Sequence, residues 1–165
     1  MKSFEPVRYE SGRPMFLGGL RRQHRFSESG RSIPEQWQQF QSIGQIPGQL
    51  GTNVYGVMCG HNSDGFEYMC AVEVESFAGL PDNLGRIRIQ AQDYAVFEHR
   101  RPLSTLRRTW DRIFEWLSIA ASYQSAHKPD FEVYDETSDP LTGIGGVKIW
   151  ISITRKPNLS GQADA

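Results

Sequence analysis

The chain has 165 residues, 38 % of them hydrophobic and 12 % aromatic, enough apolar material for a packed core, so wholesale disorder is excluded. A formal net charge of -1 supplies no global field toward DNA or an anionic membrane. No apolar run approaches the roughly 20 residues of a membrane helix, and the opening Met1-Lys2-Ser3-Phe4 has no apolar core of a secretory signal. The expected location is the cytoplasm, with neither membrane nor nucleic acid as a direct partner.

Met15 to Leu20 reads as a strand running on toward Phe26. Ser32 and Glu35 have the spacing of a capping box, and Trp37, Phe40 and Ile43 follow at helical spacing until Gly44 and Pro47-Gly48 stop the helix. Asn53 to Cys59 and Phe66 to Glu75 are strand-like, joined by a hairpin turn over His61 to Gly65. After the turn at Gly79 to Asn83, Gly85 to Gln90 and Tyr94 to His99 are extended. Pro102 opens a helix whose stripe is Leu103, Leu106, Trp110, Ile113, Phe114 and Leu117. Lys128-Pro129 breaks the chain. Phe131 to Asp135 is a short strand, residues 139 to 143 a loop, and Val147 to Thr154 a last strand.

Each half, residues 10–80 and 81–156, thus reads strand, helix, strand, strand. Two such units related by a pseudo-twofold axis predict an α+β fold. It has one antiparallel sheet, helices on one face and a ligand cleft on the other. Residues 1–156 are expected to form a single domain and 157–165 a flexible tail.

Strand alternation suggests the chemistry. On the last strand Val147, Ile149, Ile151 and Ile153 share an apolar face, so Lys148, Trp150 and Ser152 point to the other. On the strand before it, Phe131 and Val133 make the apolar face, which turns Glu132 and Tyr134 away. Assigning both apolar faces to the helices places Glu132, Tyr134, Lys148 and Trp150 together in the cleft. A carboxylate among aromatic rings suits a cationic or hydrogen-bond-donating organic ligand. The rival reading is a surface Glu beside a surface Tyr. Tyr55 and Tyr68 sit on strands that are apolar on both sides, so alternation leaves their faces open. Trp37 and Trp110 join the ligand-binding candidates: Trp110 is core first, on the helix face that packs the sheet, and Trp37 either plugs the first-half sheet or reaches the cleft with its edge.

Other constellations carry less. Cys59 and Cys70 are not a Cys-x-x-Cys pair and read as buried thiols. Cys59, His61 and Asp64 lack a fourth ligand at zinc spacing, so no metal and no cofactor is expected. The basic runs Arg21, Arg22, His24, Arg25 and His99, Arg100, Arg101, Arg107, Arg108 read as solvated faces, the second mixed with Asp111 and Glu115. No Gly-x-Ser-x-Gly elbow supports a serine hydrolase.

Tyr94 to His99, Trp110 to Ile113 with Trp116-Leu117, Asp130 to Tyr134, and Val147 to Ile151 occur in an order and spacing that resembles the GyrI-like family, the effector-binding domain of AraC-type and MerR-type regulators. Trp37 with Phe40, Tyr55-Gly56-Val57 and Phe66 to Met69 resemble its stand-alone, integron-cassette-associated branch. The resemblance implies the same two fused halves and a central cleft for amphipathic, often cationic compounds. It also implies that Glu132 is the ligand-contacting carboxylate, joined by Trp150. Lys148 departs from the second acid that many relatives carry and is a candidate either to pair with Glu132 or to admit an anionic group of the ligand. Arg101 departs from a glycine. The expected function is a stand-alone binding protein for such ligands, without its own DNA-binding domain. The alternative is a hydrolase of electrophilic compounds using Glu132, with Tyr55 or Tyr68 orienting water. Beyond the small ligand, the expected partner is a second copy of the chain or a separate regulatory protein.

Overall fold

The computed structural model describes residues 3–157, so most of the expected tail lies outside the described residues. In chain order the elements are β1 (Arg8–Gly12), β2 (Met15–Arg25), α1 (Ser29–Ile43), β3 (Gln49–His61), β4 (Gly65–Val74), β5 (Gly85–Ile89), β6 (Gln92–His99), α2 (Leu106–Ile119), β7 (Tyr123–Ser125), β8 (Asp130–Tyr134) and β9 (Val147–Arg155). The expected helices and strands are present, and β1 and β7 are additions. Both are short and carry little apolar alternation to reveal them.

One nine-stranded sheet runs in the order β1-β6-β9-β8-β3-β4-β2-β5, with β7 paired to β9. The order is a palindrome about the β8–β3 seam: β6 matches β2, β9 matches β4, and β8 matches β3. The two strand-helix-strand-strand units are therefore β2-α1-β3-β4 and β6-α2-β8-β9, and their sheet curls into an antiparallel half-barrel with two helices. The edges cross between halves. β5 precedes the second unit in sequence but pairs with β2 of the first, and β1 pairs with β6 of the second. This exchange ties the units together and covers what would be bare strand edges.

Two core layers lie against the helices, one around Trp37, Phe40, Tyr68 and Val72, the other around Trp110, Ile113, Ile149 and Ile151. A third lies on the sheet's far face, where Leu17, Tyr55, Val57, Met69, Tyr94, Val96 and Phe131 pack without any helix. The central strands are thus buried on both sides.

Three local expectations are corrected. Ser32 is not an N-cap: α1 begins at Ser29, and the Ser32 hydroxyl is turned to His24. Phe114 is exposed, while Trp116 is buried in its place. With Ile113 at the centre of the buried arc, Trp110 and Trp116 lie roughly 60° to either side and Phe114 about 100° away, outside it. His24 and His99, read as parts of basic surface runs, are buried.

Candidate functional site

Glu132 lies at the middle of β8, the strand that meets the other half at the seam. The pairing register sets it opposite Gly56 on β3 and Ile149 on β9. Residues directly opposite across a ladder share a face. Glu132 and Tyr134 therefore project with Ile149 toward the helices, whereas Phe131 projects with Trp150 and Val133 with Lys148 to the far face. This overturns the expected grouping. Phe131 and Val133 are apolar because the curled sheet buries its far face as well, so apolarity did not identify the helix side. Trp150 stacks on Phe131 at 5.6 Å with its ring edge toward Tyr94, and Tyr55 packs on the other side of Phe131. Lys148 lies opposite Val133 and Glu98 and borders a small cleft shared with Asp135, so it is no partner of Glu132.

On the helix side the remaining candidates converge. The Tyr68 hydroxyl donates to Glu132 Oε1 at 2.7 Å, and the Tyr134 hydroxyl to the same oxygen at 3.3 Å. The Trp110 indole Nε1–H donates to Oε2 at 3.0 Å. Trp37 sets its edge against Tyr134 at 5.5 Å and Tyr68 at 6.3 Å. Tyr68 and Trp37 come from the first half, Tyr134 and Trp110 from the second, so the cage is built across the seam.

Glycine makes the space. A Cβ on Gly56 would stand 2.6 Å from Glu132 Oε1 and would collide with the Tyr68 hydroxyl. A glycine inside an otherwise apolar strand signals close approach, and Tyr55-Gly56-Val57 carried that signal without naming what approaches.

The electrostatics follow from burial. Glu132 is 5 % exposed and, among the described residues, forms no ion pair within 4.0 Å. Desolvation raises its carboxyl above the ordinary 4.5, and the donors from Tyr68, Trp110 and Tyr134 pull it partly back. Burial, and then the adjacent carboxylate, push the Tyr68 and Tyr134 hydroxyls well above 10, so both remain donors. The cage is a carboxyl group lined by ring faces and edges, with no cation at ion-pair distance among the described residues.

The buried Glu132 carboxylate does not line the small cleft at Lys148. A recess of about 350 Å³ lies beside it, between α1 and the segment after β8, bordered by Trp37, Phe40, Val54, Asp135, Glu136 and Asp139. Trp37 borders this recess and packs against Tyr134, whose hydroxyl reaches Glu132. Among the described residues no group of three or more His, Cys, Asp or Glu side chains is placed to hold a metal, and no helix is long and apolar enough to cross a membrane.

Asp130, two residues before Glu132, was not singled out from sequence. Its Oδ1 accepts from the Ser152 backbone N–H at 2.8 Å, and burial pushes its carboxyl up from 3.8 to about 6 despite that bond. A folded value above the unfolded one means that the unfolded chain holds fewer protons between them, so folding stability falls as pH rises from about 4 to about 6. Asp130→Asn is expected to flatten that part of the melting-temperature profile, measured by thermal denaturation across a pH series.

The family described as integron-associated effector binding protein matches residues 15–153. The transcriptional regulator BrlR of Pseudomonas aeruginosa is 27 % identical over 130 residues, covering 77 % of this chain and 48 % of BrlR. The chain therefore spans about half the length of that regulator. Among solved structures, SAV2435 bound to tetraphenylphosphonium aligns with a TM-score of 0.70 at 17 % identity, over 89 % of this chain and 93 % of that one. An integron cassette protein from Vibrio cholerae aligns with a TM-score of 0.64 at 14 % identity, over 90 % and 96 %. At these identities the likeness shows the shared fold.

Proposed function

Because the chain belongs to the integron-associated effector-binding family, we propose that it binds amphipathic organic small molecules, with cations preferred, at the aromatic cage around Glu132. The observation that carries this reading is a buried carboxyl group with three hydrogen-bond donors, four aromatic neighbours and, among the described residues, no counter-ion. Buried charges are ordinarily paired, because desolvation costs several kcal/mol per ion, so an unpaired one marks a place where a charge arrives. An organic cation supplies it, and the rings add dispersion and cation–π attraction. Access runs from the recess beside α1, and the Trp37 and Tyr134 rings must part for the ligand to reach Glu132.

The binding unit is read as one domain over residues 1–156. Its macromolecular partner is a second copy or a separate regulator. The geometry favours binding over hydrolysis. Tyr55, one of the groups expected to orient water, lies on the far face, and Tyr68 donates to the carboxylate itself.

Tetraphenylphosphonium, the cation bound to SAV2435, serves as the probe. Proton and cation compete for Glu132. Below the raised carboxyl value the empty site is protonated and must release its proton, so affinity should tighten with rising pH by up to about tenfold per unit and level off above it. Isothermal titration across pH 4 to 8 reads this. Affinity that does not change with pH, or no binding in a cation panel that includes the probe, contradicts the reading.

A further inference from the structure

The two buried histidines occupy matching places in the two halves. His24 stands near the end of β2, and His99 ends β6, the strand that matches β2 across the pseudo-twofold. They are 4 % and 3 % exposed. His99 Nε2 lies 3.2 Å from the carbonyl of Pro102, which can only accept, so Nε2 carries the hydrogen. In the neutral ring Nδ1 then accepts from the Thr109 hydroxyl at 2.7 Å. In the first half, Gln36 Nε2 donates to the carbonyls of Leu20 at 2.8 Å and Tyr68 at 3.0 Å. That fixes its amide, so Oε1 accepts from His24 Nε2 at 2.5 Å while His24 Nδ1 takes the Ser32 hydroxyl at 2.6 Å.

In each helix, the residue bound by the histidine is followed immediately by a tryptophan of the cage: Gln36 by Trp37, and Thr109 by Trp110. Successive helical residues are fixed at about 100° from one another, so holding one side chain sets the direction of the next. Apolar packing is non-directional and leaves a helix free to roll slightly, whereas a hydrogen bond weakens steeply when misaligned.

We infer that His24 and His99 are paired positioning residues that set the roll of α1 and α2, and thereby aim Trp37 and Trp110 at the Glu132 cage. The meaning for ligand recognition rests on the function proposed for Glu132, but the positioning itself is measurable without ligand.

The test uses the whole chain, with hydrogen exchange at the tryptophan indoles followed by NMR. Thr109→Val keeps the shape and removes the hydroxyl that His99 holds, and Thr109→Ser restores it. Trp150 is the internal control, because its buried Nε1–H belongs to β9 on the far face of the sheet, off both helices. Thr109→Val is expected to speed Trp110 Nε1–H exchange about fivefold or more, the loss of one ordinary hydrogen bond. Trp150 stays unchanged and Thr109→Ser matches the parent. In the first half, Ser32→Ala shifts the fluorine line of 5-fluorotryptophan at Trp37, and Ser32→Thr restores it. Equal acceleration at Trp110 and Trp150 indicates general loosening and overturns the inference, as does no change at Trp110 or a Thr109→Ser variant that behaves like Thr109→Val. The phosphonium probe is then titrated into Thr109→Val. Weaker binding there links the clamp to recognition. A displaced indole with no probe binding in any variant retains the clamp and removes the ligand role of Glu132.

Discussion

Glu132→Gln is expected to lower affinity for the phosphonium probe by about thirtyfold or more at pH 7, while a neutral lipophile of similar size binds the variant as it binds the parent. Removing one partner of a buried charge contact costs about 2–5 kcal/mol, and about 1.4 kcal/mol is tenfold in affinity. The low local dielectric enlarges the loss, because no water replaces the missing charge. The fold should tolerate the change. Desolvation already disfavours the charged carboxyl, so its removal relieves a burial cost, although one of the donors facing it from Tyr68, Tyr134 and Trp110 then meets an amide NH₂. Titration calorimetry with both ligands separates the effects. Equal affinity of parent and variant for the cation removes Glu132 from recognition. An equal loss for cation and neutral ligand instead makes its role one of shape.

Gly56→Ala should be the most damaging single-methyl change in the cage. The added carbon falls on the Tyr68 hydroxyl and 2.6 Å from Glu132 Oε1, with β4 and β8 flanking β3 on its two sides. Overpacking of this kind typically costs about 1–3 kcal/mol, which in a chain of this size lowers the melting temperature by roughly 3–10 °C. It should also abolish the short bond from Tyr68 to Glu132 and with it cation selectivity. Tyr68→Phe deletes the colliding oxygen, so the double variant should melt higher than the sum of the single effects allows. Strict additivity would show that the collision is relieved elsewhere and that Gly56 does not shape the cage.

Much of the architecture was legible because it is local. The stripe through Leu106, Trp110 and Ile113 and the alternation through Val147 to Ile153 report their own periods, and the repetition of one element order predicted the two halves that the sheet displays. Glu132, Tyr134, Tyr68, Trp37 and Trp110, all named as candidates, meet at one point. The far-face side chains of Tyr55, Lys148 and Trp150 do not join them.

The sequence by itself therefore determined the element types and the paired halves, and offered a wider residue set of which only a part makes the cage. Only the tertiary structure decided which face that cage occupies. Period-two alternation says which residues of one strand share a side, but a strand buried on both sides has no polar face to say which side it is. The register of β8 against β3 and β9, set by contacts distant in sequence, brought Glu132 to Gly56 and away from Lys148. The packing of each helix against the strand before it turned His24 and His99 from members of basic runs into buried anchors, since burial depends on which helix packs above a strand and not on the charges beside it in the chain.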